Sequence, residues 1–127
     1  TFKKLIVNSR AVVPASGYYE WAKTENKKKP YYFTREDEQD IYFAAIFENS
    51  QFCIITREAT SRVSKIHHRQ PVIISKLQIN NYLNINNDAT DFLNNVKPPD
   101  LKFHEISKEI NKPTNNDPSL IKNIELL

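Results

Sequence analysis

The sequence predicts an α+β fold: a curled, barrel-like mixed β-sheet with a few short peripheral helices. Two observations carry this. Aromatic and β-branched runs of strand length fill residues 11–56 and recur at 71–74 and 101–106. Helical readings are few and short, at residues 2–8, 59–65, 76–83 and 91–96, so helices are inserted late into a strand-dominated pattern. The 127 residues fit one domain, 1–127, large enough for a real core.

Taken in order, Phe2, Leu5 and Ile6 are spaced as one helical face, so residues 2–8 read as a helix. Ala11 to Pro14 and Tyr18 to Ala22 read as strands flanking a turn at Gly17. Gly17 is the chain's single glycine, which predicts a backbone angle that a Cβ would resist. Glu25 to Lys29 is a polar loop. Tyr31 to Arg35 and Ile41 to Glu48 are aromatic-rich strands, and the acidic Glu36 to Asp40 reads as a hairpin-like connection between them. Phe52 to Thr56 is an apolar β run, Ala59 to Lys65 a short helical stretch, and Pro71 to Ile74 another strand. Ser75-Lys76-Leu77-Gln78 has the form of a capping box, so a helix runs to about Leu83. Asp91 to Val96 is a second such helix, stopped by Pro98-Pro99. Leu101 to Ile106 alternates as a strand, and Asn111 to Asn116 is turn-rich with a closing segment near Leu120. Abundant Asn, which tolerates left-handed turns, offsets the scarcity of glycine.

Composition narrows the function classes. No apolar run approaches membrane-spanning length and no secretory leader is visible, so an intracellular, cytoplasmic setting is expected. A lone cysteine, Cys53, excludes an internal disulfide framework and a cysteine zinc site. The net charge of +3 permits nucleic-acid binding without requiring it. Lys27-Lys28-Lys29 is the densest basic cluster and reads as a solvated loop. The chain starts at Thr1 and holds no methionine, so it reads as one from which an upstream part has been removed.

Two stretches can carry chemistry. In Gly17-Tyr18-Tyr19-Glu20-Trp21, an extended backbone directs Tyr18 and Glu20 one way and Tyr19 and Trp21 the other. One face then offers an acid/base carboxyl and the other a flat stacking surface. The bland alternative is an exposed strand carboxylate and a core tryptophan. In Ile66-His67-His68-Arg69-Gln70-Pro71, His67 shares a face with Arg69, a pairing suited to an anionic ligand such as phosphate. His67 is as readily a hydrogen-bonded structural histidine. Adjacent histidines on a strand point apart and make poor joint metal ligands. Cys53, in an apolar β run, reads as a small buried hydrophobe. Ser16, Thr1 and His104 lack the surroundings of a nucleophile or base.

Together these residues resemble the SOS-response-associated peptidase family, the abasic-site processing proteins. Arg10-Ala11-Val12-Val13-Pro14-Ala15-Ser16-Gly17-Tyr18-Tyr19-Glu20-Trp21 is similar to the family's Arg-Cys-Leu-x-Pro-Ala-x-Gly-Phe/Tyr-Tyr-Glu-Trp block. Ile66-His67-His68-Arg69-Gln70-Pro71-Val72-Ile73-Ile74 resembles its Ile-His-x-Arg-Met-Pro-Val-Ile-Leu block, with Gln70 in place of methionine. The Lys29–Phe33, Phe43–Glu48, Phe52–Ala59 and His104–Asn111 stretches follow in family order. The resemblance implies binding of single-stranded DNA with abasic sites and attack by an N-terminal cysteine, whose amine and thiol close a thiazolidine on the sugar aldehyde. It implies Glu20 and His67 as catalytic proton carriers and Trp21 and Arg69 near the DNA. It also implies a setting at the nucleoid after DNA damage, and neither metal nor cofactor.

The N-terminal cysteine and an Asn-Ala-Arg-x-Glu segment of the family are absent from this sequence. The chain therefore reads as the C-terminal two-thirds of a crosslinking enzyme, inactive alone, and expected to self-associate or pair with the missing segment. The alternative is a single-stranded DNA-binding module without chemistry.

Overall fold

The computed structural model describes residues 2–24 and 27–107. In chain order the elements are α1 (Phe2–Asn8), β1 (Arg10–Ala15), β2 (Tyr18–Thr24), β3 (Lys27–Arg35), β4 (Ile41–Glu48), β5 (Gln51–Ile54) and β6 (Thr56–Glu58). A 3-10 turn at Val63–Lys65 leads to β7 (Arg69–Pro71) and β8 (Ile73–Ile74). A second 3-10 turn at Lys76–Gln78 runs into α2 (Ile79–Leu83), followed by α3 (Ala89–Asn95) and β9 (Leu101–Glu105). The closing segment expected near Leu120 lies outside the described residues.

The α+β content is as expected, but the sheets neither curl nor close into a barrel. They are three separate sheets, β1-β4-β5 with β8 also on β4, β2-β3-β9, and the ribbon β6-β7. Every pairing in them is antiparallel. The reason lies in β4. Its sequence Ile-Tyr-Phe-Ala-Ala-Ile-Phe is apolar on both faces, as a strand covered on both sides must be. Ala44, Ile46 and the flanking Ile74 and Val12 pack with Ile6, Tyr82, Ala89 and Val96 on the helical side. Ile41, Phe43 and Ile73 pack on the other side with Phe33 and Leu101 of the β2-β3-β9 sheet. A sheet held between helices and a second sheet has its faces filled by neighbours, so it does not close on itself.

The connections follow from this layering. Residues 36–40 form no hairpin: β3 and β4 belong to different sheets, and the turn carries the chain between them. Arg35 grips Asp37 within this turn at 2.6 and 2.9 Å, and Glu38 takes a φ of 64°. Asn49 takes the other left-handed position, φ 56°, between β4 and β5. The turn before β2 likewise crosses between sheets. Gly17 has no positive φ, contrary to the expectation of an unusual backbone angle. It is glycine for want of space: a Cβ there would sit 2.5 Å from the Tyr32 hydroxyl and 2.6 Å from the Phe33 carbonyl oxygen.

Gln78 does close the expected cap, its Oε1 accepting the Ser75 N–H at 2.9 Å. Lys27 to Lys29 belong to β3 rather than to a loop, and the stretch after Ala59 forms only the short turn at Val63–Lys65. Arg10 is buried and donates to the carbonyls of Ile6, Val7, Tyr82, Asn84 and Asn87, tying α1 to the end of α2 and the loop after it.

A fork at the centre positions the site. Ala44 N–H donates to Val72 O, Val72 N–H to Ile55 O, and Ile55 N–H to Ala44 O, each at 2.8–2.9 Å. At Ile55 the chain leaves β5 for β6, and at Val72 it leaves β7 for β8. The β6–β7 ribbon is thereby lifted off the main sheet, and it carries Arg69.

Candidate functional site

The β2–β3 register fixes the first half of the site. Tyr18 pairs with Phe33, Tyr19 with Tyr32, Glu20 with Tyr31 and Trp21 with Pro30. Alternation then directs Tyr18 and Glu20 inward, and Tyr19 and Trp21 outward, as the sequence predicts. Tyr18 stacks on Phe33 at 4.8 Å, and its buried hydroxyl has no hydrogen-bond partner. Burial, and then the Glu20 charge, push that hydroxyl well above the ordinary tyrosine range. Glu20 Oε1 accepts the N–H of Trp21 at 3.2 Å.

The 3-10 turn supplies the second half. His67 N–H donates to Val63 O at 3.1 Å, ending the turn and aiming the imidazole back at β2. Its Nε2 lies 3.8 Å from Glu20 Oε1, with the two side chains 32% and 28% exposed. The other ring nitrogen, Nδ1, sits 3.2 Å from both the N–H and the carbonyl of Arg69. The neutral ring with its proton on Nε2 accepts the Arg69 N–H at Nδ1 and presents N–H to Glu20. The protonated ring instead donates from Nδ1 to the Arg69 carbonyl. The backbone of Arg69 thus offers a hydrogen-bond partner to either form of the ring.

Arg69 reaches across the ribbon to Thr56. Its Nη2 donates to the Thr56 carbonyl at 2.9 Å and to Oγ1 at 3.2 Å, and its Nε to Oγ1 at 3.3 Å. The guanidinium is oriented yet exposed. An open cavity of about 380 Å³ lies against it, lined also by Phe2, Ile46, Cys53 and Ile54 to Thr56.

Glu20 and His67 are therefore brought together by their side chains, Arg69 joins them through its backbone with its guanidinium turned to Thr56, and Trp21 lies on the opposite face of β2. The two histidines differ from expectation. They occupy a bend rather than a strand, and their rings stack at 4.7 Å instead of pointing apart. No cluster of three metal-ligating side chains occurs among the described residues. Sequence reasoning missed two contributors. Gln70 is 2% exposed and accepts the Thr60 N–H at 2.9 Å, which holds the loop ahead of His67. Thr56 orients Arg69 from thirteen residues away in sequence. Gln70 standing where the family's block has methionine was the one visible signal for the first. Nothing local marks the second.

The chain as a whole is similar to known proteins. The family model described as SOS response associated peptidase (SRAP) matches residues 1–113. The chain belongs to this family. Among curated SRAP relatives, the abasic site processing protein YoqW of Bacillus subtilis is 29% identical over 136 residues, covering 96% of this chain and 61% of the relative. Abasic site processing protein YedK of Escherichia coli is 38% identical over 82 residues, 58% of this chain and 37% of YedK. A crystal structure of a protein from Bacteroides thetaiotaomicron superposes with a TM-score of 0.82 at 28% identity, covering 96% of this chain and 60% of that one. This chain thus spans about three-fifths of YoqW's length.

Within this SRAP chain the thiazolidine reading is corrected. Its one cysteine is Cys53, in the middle of β5, and the α-amine of Cys53 is part of a peptide bond. A thiazolidine needs a free amine and a thiol on adjacent carbons, so Cys53 cannot form one. Cys53 is also exposed rather than buried, because β5 is the last strand of its sheet and its outer residues lack cover among the described residues. No described helix is long and apolar enough to cross a membrane.

Proposed function

We propose that this chain, acting as one domain, is a single-stranded DNA-binding module that takes strands carrying abasic sites. The reading rests on the Glu20–His67 pair and on Arg69, whose backbone N–H meets the His67 ring while its guanidinium, oriented by Thr56, stays exposed. Arg69 suits a backbone phosphate, which it meets as an oriented planar fork. The Glu20 carboxylate repels phosphate, so the neighbouring pair suits an uncharged hydroxyl-bearing group. The hemiacetal sugar of an abasic position is such a group: its hydroxyl donates to Glu20, and its oxygens accept from His67. Trp21, on the other face of β2, stacks against a base of the same strand. The relatives' names as abasic site processing proteins support the same ligand. The pair can move a proton to or from that sugar, but holding the ligand is noncovalent. The cytoplasm, at damaged DNA, is the setting this activity needs.

The exposed cross-strand pair Phe47 and Phe52, on β5 and its neighbour β4, where β5 is the outermost strand among the described residues, supports self-association as part of this reading. Sedimentation of Phe52→Lys against the parent chain tests that part.

The binding test is fluorescence anisotropy with three labelled oligonucleotides: single-stranded with one abasic site, single-stranded intact, and duplex. The abasic single strand binds tightest, and its affinity falls as salt rises. Arg69→Ala and Trp21→Ala weaken it, Cys53→Ser leaves it unchanged, and denaturation releases all the DNA. Equal affinity for duplex and single strand, or an adduct surviving denaturation, overturns the reading.

A further inference from the structure

We infer that the outer face of the β2-β3-β9 sheet is a second, base-stacking surface for single-stranded DNA, formed by the row Tyr19–Tyr32–His104. This inference rests on the DNA-binding reading above and adds a site to it.

Register makes the row. Tyr19 pairs directly with Tyr32, and Tyr32 with His104. The rings follow one another across the strands at 5.3 and 6.1 Å, tilted by 47° and 66°. Rings so tilted do not cover one another's faces, unlike the flat Tyr18–Phe33 stack on the inner side at 8°. Tyr19 is 38% exposed.

Charge is sorted between the two faces. Alternation turns Glu20, Arg35 and Glu105 inward with Tyr18, Phe33 and Phe103. It turns Lys28 and Lys102 outward with the row. No strand position on the outer face carries a carboxylate. Glu38 reaches Lys102 from the turn after β3 and offsets its charge. Flat rings with Lys28 beside them, and with no carboxylate at a strand position of the face, suit a polyanion that carries flat bases.

The chain's single glycine adds an independent observation. A Cβ at Gly17 would fall 2.5 Å from Tyr32 Cζ and Oη, so the turn is kept bare where the Tyr32 phenol lies. The platform has a limit as well. Pro30 and Ile106 are buried and Tyr32 and His104 half-buried, so the row is most open at Tyr19. Aromatic cross-strand pairs also stabilise sheets in their own right. The test must separate that role from stacking.

Anisotropy is measured with an intact single-stranded oligonucleotide and with one of equal length built wholly of base-free spacers. Tyr19→Ala and Tyr32→Ala weaken binding of the intact strand roughly fivefold or more and leave the base-free strand unaffected. Tyr19→Phe and Tyr32→Phe keep the rings and the affinity. In the unsubstituted chain, photocrosslinking of an iodouracil-bearing strand labels Tyr19 or Tyr32. If the unsubstituted chain binds no single strand at all, the DNA-binding reading fails and this inference with it. If it binds but the alanine variants match it and no label reaches these tyrosines, the platform alone is overturned.

Discussion

His67 Nε2 faces Glu20 Oε1 at 3.8 Å, although the two residues stand more than forty positions apart in sequence. The contact is half open to water, so it contributes little to folding. Pairs of this kind are worth about 0–1 kcal/mol. Glu20→Gln is therefore expected to change unfolding free energy by less than about 1 kcal/mol. The same substitution weakens binding of the abasic single strand while sparing the intact one. Denaturant titration beside anisotropy separates the two. A large loss of stability with no loss of discrimination makes the pair structural.

Gly17 and Tyr32 compete for one volume. Gly17→Ala is expected to cost roughly 1–3 kcal/mol, the range for forcing atoms into a packed site. Because the φ of Gly17 is not positive, the cost comes from the neighbour rather than the backbone angle. Adding Tyr32→Ala to Gly17→Ala should then recover part of the loss. Recovery stays partial, since the Phe33 carbonyl oxygen also lies 2.6 Å from the added methyl. A double-mutant cycle by thermal unfolding measures this coupling. Strict additivity shows that the backbone, not Tyr32, sets the requirement.

These two positions show what the sequence makes legible. Strand alternation alone places Glu20 opposite Trp21, and local spacing finds nearly every element. The apolar doubling of β4 is also visible, since Ile41 to Phe47 has no polar face but for the Tyr42 hydroxyl. Partner choice is not visible. Nothing within Glu36 to Asp40 says that β3 and β4 join different sheets, because the same turn chemistry serves a hairpin or a crossing. Hence a barrel was expected where sheets pack face to face. The histidines failed for a related reason. Their stacking depends on the Val63–Lys65 turn, which ends at His67 through a hydrogen bond no local pattern announces.

Asp37 gives a pH signature. Hydrogen bonds from the Arg35 side chain, then from the Gln39 N–H, lower its pKa from an ordinary 3.8 to about 2. A lowered folded-state pKa stabilises the fold above the unfolded value and loses that stabilisation as pH falls through the folded one. The melting-temperature difference between the parent chain and Asp37→Asn is therefore expected to be positive and flat above about pH 5. It shrinks between pH 3.8 and about 2. The exposed setting keeps the effect small. A difference that grows on acidification contradicts the assignment.

Arg10 gives the largest expected loss. Its guanidinium fills a buried site and satisfies five carbonyls, with contacts from 2.7 to 3.1 Å. Several of these oxygens end helices α1 and α2, where no further intrahelical donor is available and the helix dipole favours a cation. Removing the group strands several buried acceptors at once, each costing about 1–3 kcal/mol. Arg10→Met preserves much of the apolar stem and is expected to lose at least about 3 kcal/mol. Arg10→Lys keeps the charge but offers three donors on a single nitrogen, which cannot span carbonyls from Ile6 to Asn87, so its loss falls between. Hydrogen exchange should locate the damage, with Asn84 to Asn87 opening first, since that loop is tied to α1 through Arg10. Were Arg10→Met to unfold within about 1 kcal/mol of the parent, water would have to replace the guanidinium at these carbonyls, and Arg10 would not be the tie between the helices.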